Sequence, residues 1–123
     1  MRYVIPAFQE STLHRGKSLE QFLGGSVRNG ERLISWLEVR PVAQGFEVWH
    51  FEVPDIGGGG GGFVDVYEFG EGAESPVATL ATADGALQFA HSAFTASPER
   101  WVNSTLICAE YHDYVKAGRS VRT

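Results

Sequence analysis

The stretch Leu33–Phe69, LISWLEVRPVAQGFEVWHFEVPDIGGGGGGFVDVYEF, decides the reading of the fold. Three runs rich in Val, Ile, Phe, Trp and Tyr lie in it: Leu33 to Arg40, Phe46 to Val53, and Phe63 to Phe69. Pro and Gly separate them, which is how strands and their connections read, so the stretch predicts a three-stranded antiparallel meander. In the first run Leu33, Ser35, Leu37 and Val39 share one face and Ile34, Trp36, Glu38 and Arg40 the other. Neither face is purely polar, so both faces of the sheet are expected to be partly covered. In the second run Trp49, Phe51 and Val53 are expected in the core, with His50 and Glu52 nearer to water. Between the second and third runs stand six consecutive glycines, Gly57 to Gly62, which predict a mobile loop because nothing in them can pack.

Working outward, Arg2 to Phe8 reads as an edge strand, since Pro6 cannot donate to a ladder. Ser18 and Gln21 fit a capping box, predicting a two-turn helix through Leu23 that stops at Gly24-Gly25. Asn29-Gly30 is a strong hairpin turn signal, with Val27 and Leu33 on either side. Pro41 to Gly45 has the length of a hairpin loop. Pro76 to Ala81 adds a strand, and Thr82 caps the main helix, Ala83 to about Ala96, whose apolar face carries Leu87, Ala90 and Phe94. Ser97-Pro98-Glu99 reads as a further helix start, with Trp101 and Val102 turned inward. Thr105 to Cys108 is ambiguous, and Ala109 to Ala117 is a helix stopped by Gly118. The expected fold class is α+β: one domain over residues 1–123, an antiparallel sheet of four to five strands, and two to three helices packed on one face.

A chain of 123 residues buries about two thirds of its unfolded surface on folding, enough for one core. Fifteen aromatics are available to build it, and Trp and Tyr beside acids also suit a protein-binding surface. No stretch approaches the roughly 18 apolar residues of a membrane span, and the N-terminal MRYVIPAFQE is too interrupted for a signal core. The lone Cys108 forms no internal disulfide and reads as a small core residue, so a cytoplasmic home is expected. The net charge of −5 is uneven. Glu38 to Glu74 holds eight acids against Arg40 alone, a net −7, while the rest of the chain is +2. Such a field attracts a basic protein partner and repels phosphate backbones, so nucleic-acid binding is not expected.

Candidate chemistry is sparse. His14-Arg15-Gly16-Lys17-Ser18 has the ending of a phosphate-binding loop, but the required earlier glycine is Ser11, and a capped solvated loop accounts for the same residues. His50 and Glu52 share a strand face and are expected to meet Asp65 and Tyr67 from the neighbouring strand; a His beside a carboxylate can do acid–base work. No nucleophile stands at a recognisable spacing, and polar cross-strand pairing explains the four as well. The four histidines form no metal pattern and no cofactor motif is present, so neither metal nor cofactor is expected. The candidate binding surface is therefore Trp49, His50, Glu52, Asp55, Asp65, Tyr67 and Glu68. It would serve either a basic partner protein or, around His50, Glu52, Asp65 and Tyr67, a small molecule or modest acid–base reaction. A homodimer through a sheet edge is a third reading. In the C-terminal half, TADGALQFAHSAF followed by SPERWVN, after an acidic meander, resembles the small acidic immunity proteins of bacterial polymorphic-toxin systems. That resemblance implies a non-enzymatic protein-binding role and carries over no individual site residues.

Overall fold

The computed structural model describes residues 2–57 and 65–119. Three long strands form its centre: β1 (Leu19–Arg28), β2 (Glu31–Val42) and β3 (Gly45–Pro54). The short strands β4 (Ala78–Leu80) and β5 (Val102–Asn103) complete an antiparallel sheet in the order β4-β3-β2-β1-β5. Asn29 and Gly30 close the β1–β2 hairpin with φ of 54° and 80°, the left-handed pair that matches strand twist. The β2–β3 hairpin is tighter than expected, since Pro41 and Val42 stay in the ladder opposite Phe46 and Gly45. Pro41 is tolerated because β1 pairs with β2 only as far as Val39, leaving no neighbour that needs its missing N–H.

Among the described residues three α-helices accompany the sheet: α1 (Pro6–His14), α2 (Ala83–Phe94) and α3 (Ile107–Lys116). Thr82 caps α2 as expected, its hydroxyl accepting from the Gly85 amide at 2.9 Å. The helices are not gathered on one face as expected: α1 and α2 lie on one face with Leu37, Val39 and Val48, while α3 covers the other with Ile34, Trp36 and Val53. Alternate residues of β2 thus enter two separate cores, which is the two-sided covering that its mixed faces imply. Ile34, Leu37, Val39 and Val48 are wholly buried, each worth about 1.5–3 kcal/mol relative to exposure.

Four local expectations are corrected. The strand expected over Arg2 to Phe8 gives way to a helix over residues 6–14, because Pro6 sits at the start of the helix where its missing N–H is harmless. Of the Arg2 to Phe8 stretch, Tyr3 alone forms a bridge to a strand, opposite Val102, among the described residues. Residues 19–23 are strand, not helix. Nine residue pairs join β1 to β2, and that ladder outweighs a two-turn helix preference. Leu19 and Leu23 go to the first core and Phe22 to the second, a period of two. Residues 66–68 form a single 3-10 turn, because the Asp65 carboxylate accepts from the Tyr67 amide and bends the chain away from a ladder. Phe63, Val64 and all but Gly57 of the mobile loop expected at Gly57 to Gly62 lie outside the described residues. Ser97 starts a turn rather than a helix: its carbonyl accepts from the Arg100 amide, and Trp101 and Val102 are buried just beyond. Among the described residues no helix is long and apolar enough to cross a membrane.

Candidate functional site

The sheet face carrying the second core presents an aromatic row. Trp36 stacks on Phe51 (5.4 Å, 20°) and Phe51 on Trp49 (5.8 Å, 9°), while Tyr67 meets Trp36 edge-on at 5.7 Å. Pairing of Trp36 with Phe51 and of Glu38 with Trp49 across β2 and β3 sets this row. The Arg40 guanidinium lies 4.3 Å from the Trp49 ring and ion-pairs with Glu38 at 2.7 Å. The Trp49 indole donates to Glu47 at 3.0 Å.

Beneath Tyr67 lies a carboxyl that the sequence reading placed on a helix. Glu20, buried on β1, accepts from the Tyr67 hydroxyl at 2.7 Å and the Thr105 amide at 3.0 Å. Burial pushes the Glu20 carboxyl up from its ordinary value, with Glu38 across the ladder adding to the shift, and Tyr67 is raised by burial and by its bond to Glu20. The cluster ties the 3-10 turn and the 104–106 turn to the sheet. Cys108, buried as expected, places its Sγ 3.8 Å from Asp65 and is also raised by burial, so it is an inert thiol.

The seven expected site residues do not converge. Trp49, Asp65 and Tyr67 belong to the face just described. His50 faces the other way, its ring 4.8 Å from Phe94 of α2, and burial lowers its pKa. Glu52 bonds Arg28 at 2.8 and 3.3 Å. The His50, Glu52, Asp65 and Tyr67 group expected for acid–base chemistry is split between opposite faces, because residues 65–69 cross over the Trp36 side of the sheet instead of pairing beside β3. Asp55 is buried, accepting from the Tyr111 hydroxyl and, at 2.9 Å, from Arg119. It fastens α3 to the end of β3. Glu68 is exposed.

Comparison with protein-family models, curated proteins and solved structures finds no match for this chain. Its site therefore stands on its own geometry. The −7 stretch is only partly free. Glu38, Glu52 and Asp55 are ion-paired with Arg40, Arg28 and Arg119, Glu47 holds an indole, and Asp65 caps a turn. What is left is an arc: Glu68, Glu71 and Glu74 are exposed and have no side-chain partner among the described residues. Tyr67 and Val77, 37% and 47% exposed, bound the arc. Its middle runs along the outer edge of β3, where the Glu52 amide donates to the Gly72 carbonyl at 3.3 Å. Val77, donating to Val48 at 2.8 Å, closes the same edge.

No phosphate-binding loop forms at Arg15–Ser18. The segment leads into strand β1, and the amides of Arg15, Gly16 and Lys17 all donate to carbonyls of α1. Among the described residues no three His, Cys, Asp or Glu side chains are grouped to hold a metal ion.

Proposed function

We propose that the chain is a non-enzymatic, cytoplasmic protein-binding domain of the immunity type that its C-terminal half resembles. The carrying observation is the arc Glu68–Glu71–Glu74, three exposed carboxylates without internal cations, in a molecule whose other meander acids are engaged by its own side chains. Their uncompensated field accelerates encounter with a basic surface. Tyr67 and Val77 at its ends supply apolar and aromatic contact once the partner has arrived. Nearby Trp49 is already engaged by Arg40, Phe51 and Glu47, so it serves as the rigid floor beneath the contact.

The test is purification of the tagged chain from its own cell at about 0.05 M and about 0.5 M salt, beside an E68K/E71K/E74K variant. A basic polypeptide held at low salt, shed at high salt and missed by the variant supports the reading, and co-expression should then neutralise that polypeptide's toxicity. Retention indifferent to salt and to the variant, or no retained partner, overturns it.

A further inference from the structure

A second surface lies away from the acidic arc, where α1 ends and β1 begins. A cleft of about 680 Å³ opens there, within the size range of small-ligand sites. Arg15, Lys17 and Ser18 come from the α1–β1 connection, and Asn103 and Ser104 from the end of β5. Leu19 pairs with Asn103, so the sheet register itself brings these two segments together. Val4, Phe8 and Thr12 form the remaining wall, and Phe8 is 59% exposed.

The two cations of the cleft are, with Arg32 and Lys116, those that no carboxylate engages among the described residues. Arg2, Arg28, Arg40, Arg100 and Arg119 each hold a carboxylate. Arg15 and Lys17 have no ion pair among the described residues, and no carboxylate lines the cleft. Their position after a helix C-terminus does not account for them either. The last carbonyls of α1 are already taken by the backbone amides of Arg15 (3.0 and 3.2 Å), Gly16 (3.0 Å) and Lys17 (3.3 Å), so the side chains are free of capping duty. Gly16, at φ 84°, turns the chain so that both cations follow the helix end closely, and a Cβ there would meet nothing within 4 Å. Two cations, three hydroxyls and an amide thus line one cleft with an exposed phenyl ring.

We propose that this cleft binds a small organic anion: a phosphate or carboxylate head held by Arg15 and Lys17, with an apolar body against Phe8 and Val4. The paired cations supply charge-assisted hydrogen bonds, while Ser18 and Asn103 supply neutral donors. Nothing in the cleft is shared with the acidic arc, so either site can fail without the other.

The experiment is NMR titration of the full chain with phenyl phosphate, benzoate, inorganic phosphate and, as a cationic control, benzylamine. Phenyl phosphate or benzoate should saturate shifts at Thr12, Ser18 and Ser104, and the tighter of the two identifies the head group. R15A/K17A should weaken that binding at least about tenfold, as expected for two lost charge-assisted contacts. F8A should weaken the aryl ligands while leaving inorganic phosphate unchanged. All three substituted side chains are exposed, and an unaltered spectrum elsewhere verifies the fold. Unsaturated shifts with every anion to about 10 mM, equal binding by R15A/K17A, or equal binding of benzylamine overturns the proposal.

Discussion

His50 shows how a residue's environment decides its role. Half-buried against Phe94, its imidazole is shifted below the ordinary value of 6.5, chiefly by burial, with Glu52 acting in the opposite direction. A lowered folded-state pKa means that the unfolded chain takes up the proton first as pH falls. His50 therefore contributes stability above about 6.5 that is lost on acidification. Replacing it by Phe keeps the ring packing and removes the titration, so H50F should unfold with a shallower loss of Tm between about pH 7 and pH 5. An unchanged slope would contradict this. His91, also lowered by burial, keeps the slope from vanishing. Glu20 has the opposite sign. Its raised carboxyl pKa favours the protonated form in the folded state, so the ionised group costs stability as pH rises above its ordinary 4.5. E20Q retains an acceptor for Tyr67 and Thr105, so its Tm relative to the parent should improve from about pH 4 to about pH 7. E20A leaves both donors unpaired and should cost about 1–3 kcal/mol at either pH. A constant difference between E20Q and parent across that range would remove the account.

Elements show which patterns carry information. The alternation in β2 and β3 was legible because one period of two fits both runs and the Asn29-Gly30 turn demands a hairpin. Residues 19–23 were not. Leu19, Phe22 and Leu23 stand at i, i+3 and i+4, which suits a helix on one core and equally a strand between two cores. Only the partner strand settles it. That one misreading also concealed Glu20, which becomes a buried inward residue only when the segment is extended. The free part of the acidic stretch was illegible for another reason: Asp55 is neutralised by Arg119, 64 residues away, and no local pattern announces such a pair. Contact between elements has its own test. A Cβ on Gly25 would fall 1.8 Å from the Tyr114 hydroxyl, and Tyr114 cannot swing freely because it packs on Phe22 and Tyr111. G25A should therefore lift α3 from β1 at a cost of about 1–3 kcal/mol. In a Y114A background the same change should cost almost nothing, and denaturant melts of the four-member cycle measure the difference. Additive costs would refute the contact.

At the scale of the whole molecule, the single sheet serves two cores that have no buried residue in common. Trp101 belongs to the core beneath α1 and α2, Trp36 to the core beneath α3. A layered arrangement of this kind could unfold in two steps if each core were held by its own elements. Here it is not: Leu37 and Val39 fill one core and Ile34 and Trp36 the other, all from β2, which is flanked by β1 and β3 along most of its length. Removing α3 would expose one face of the same strands that α2 needs in register on the opposite face. Loss of either core therefore removes the platform for its neighbour, and unfolding should be a single cooperative transition. Single-tryptophan variants report each side separately: W49F/W101F retains Trp36, and W36F/W49F retains Trp101. In each variant the fluorescence midpoint in urea should coincide with the far-UV circular dichroism midpoint of that same variant, whatever stability the substitutions remove. A Trp36 signal lost before the sheet melts would mean that α3 peels away as an independent unit. The shared strand would then be a scaffold that survives the loss of one core, and the coupling argued from its alternating residues would be wrong.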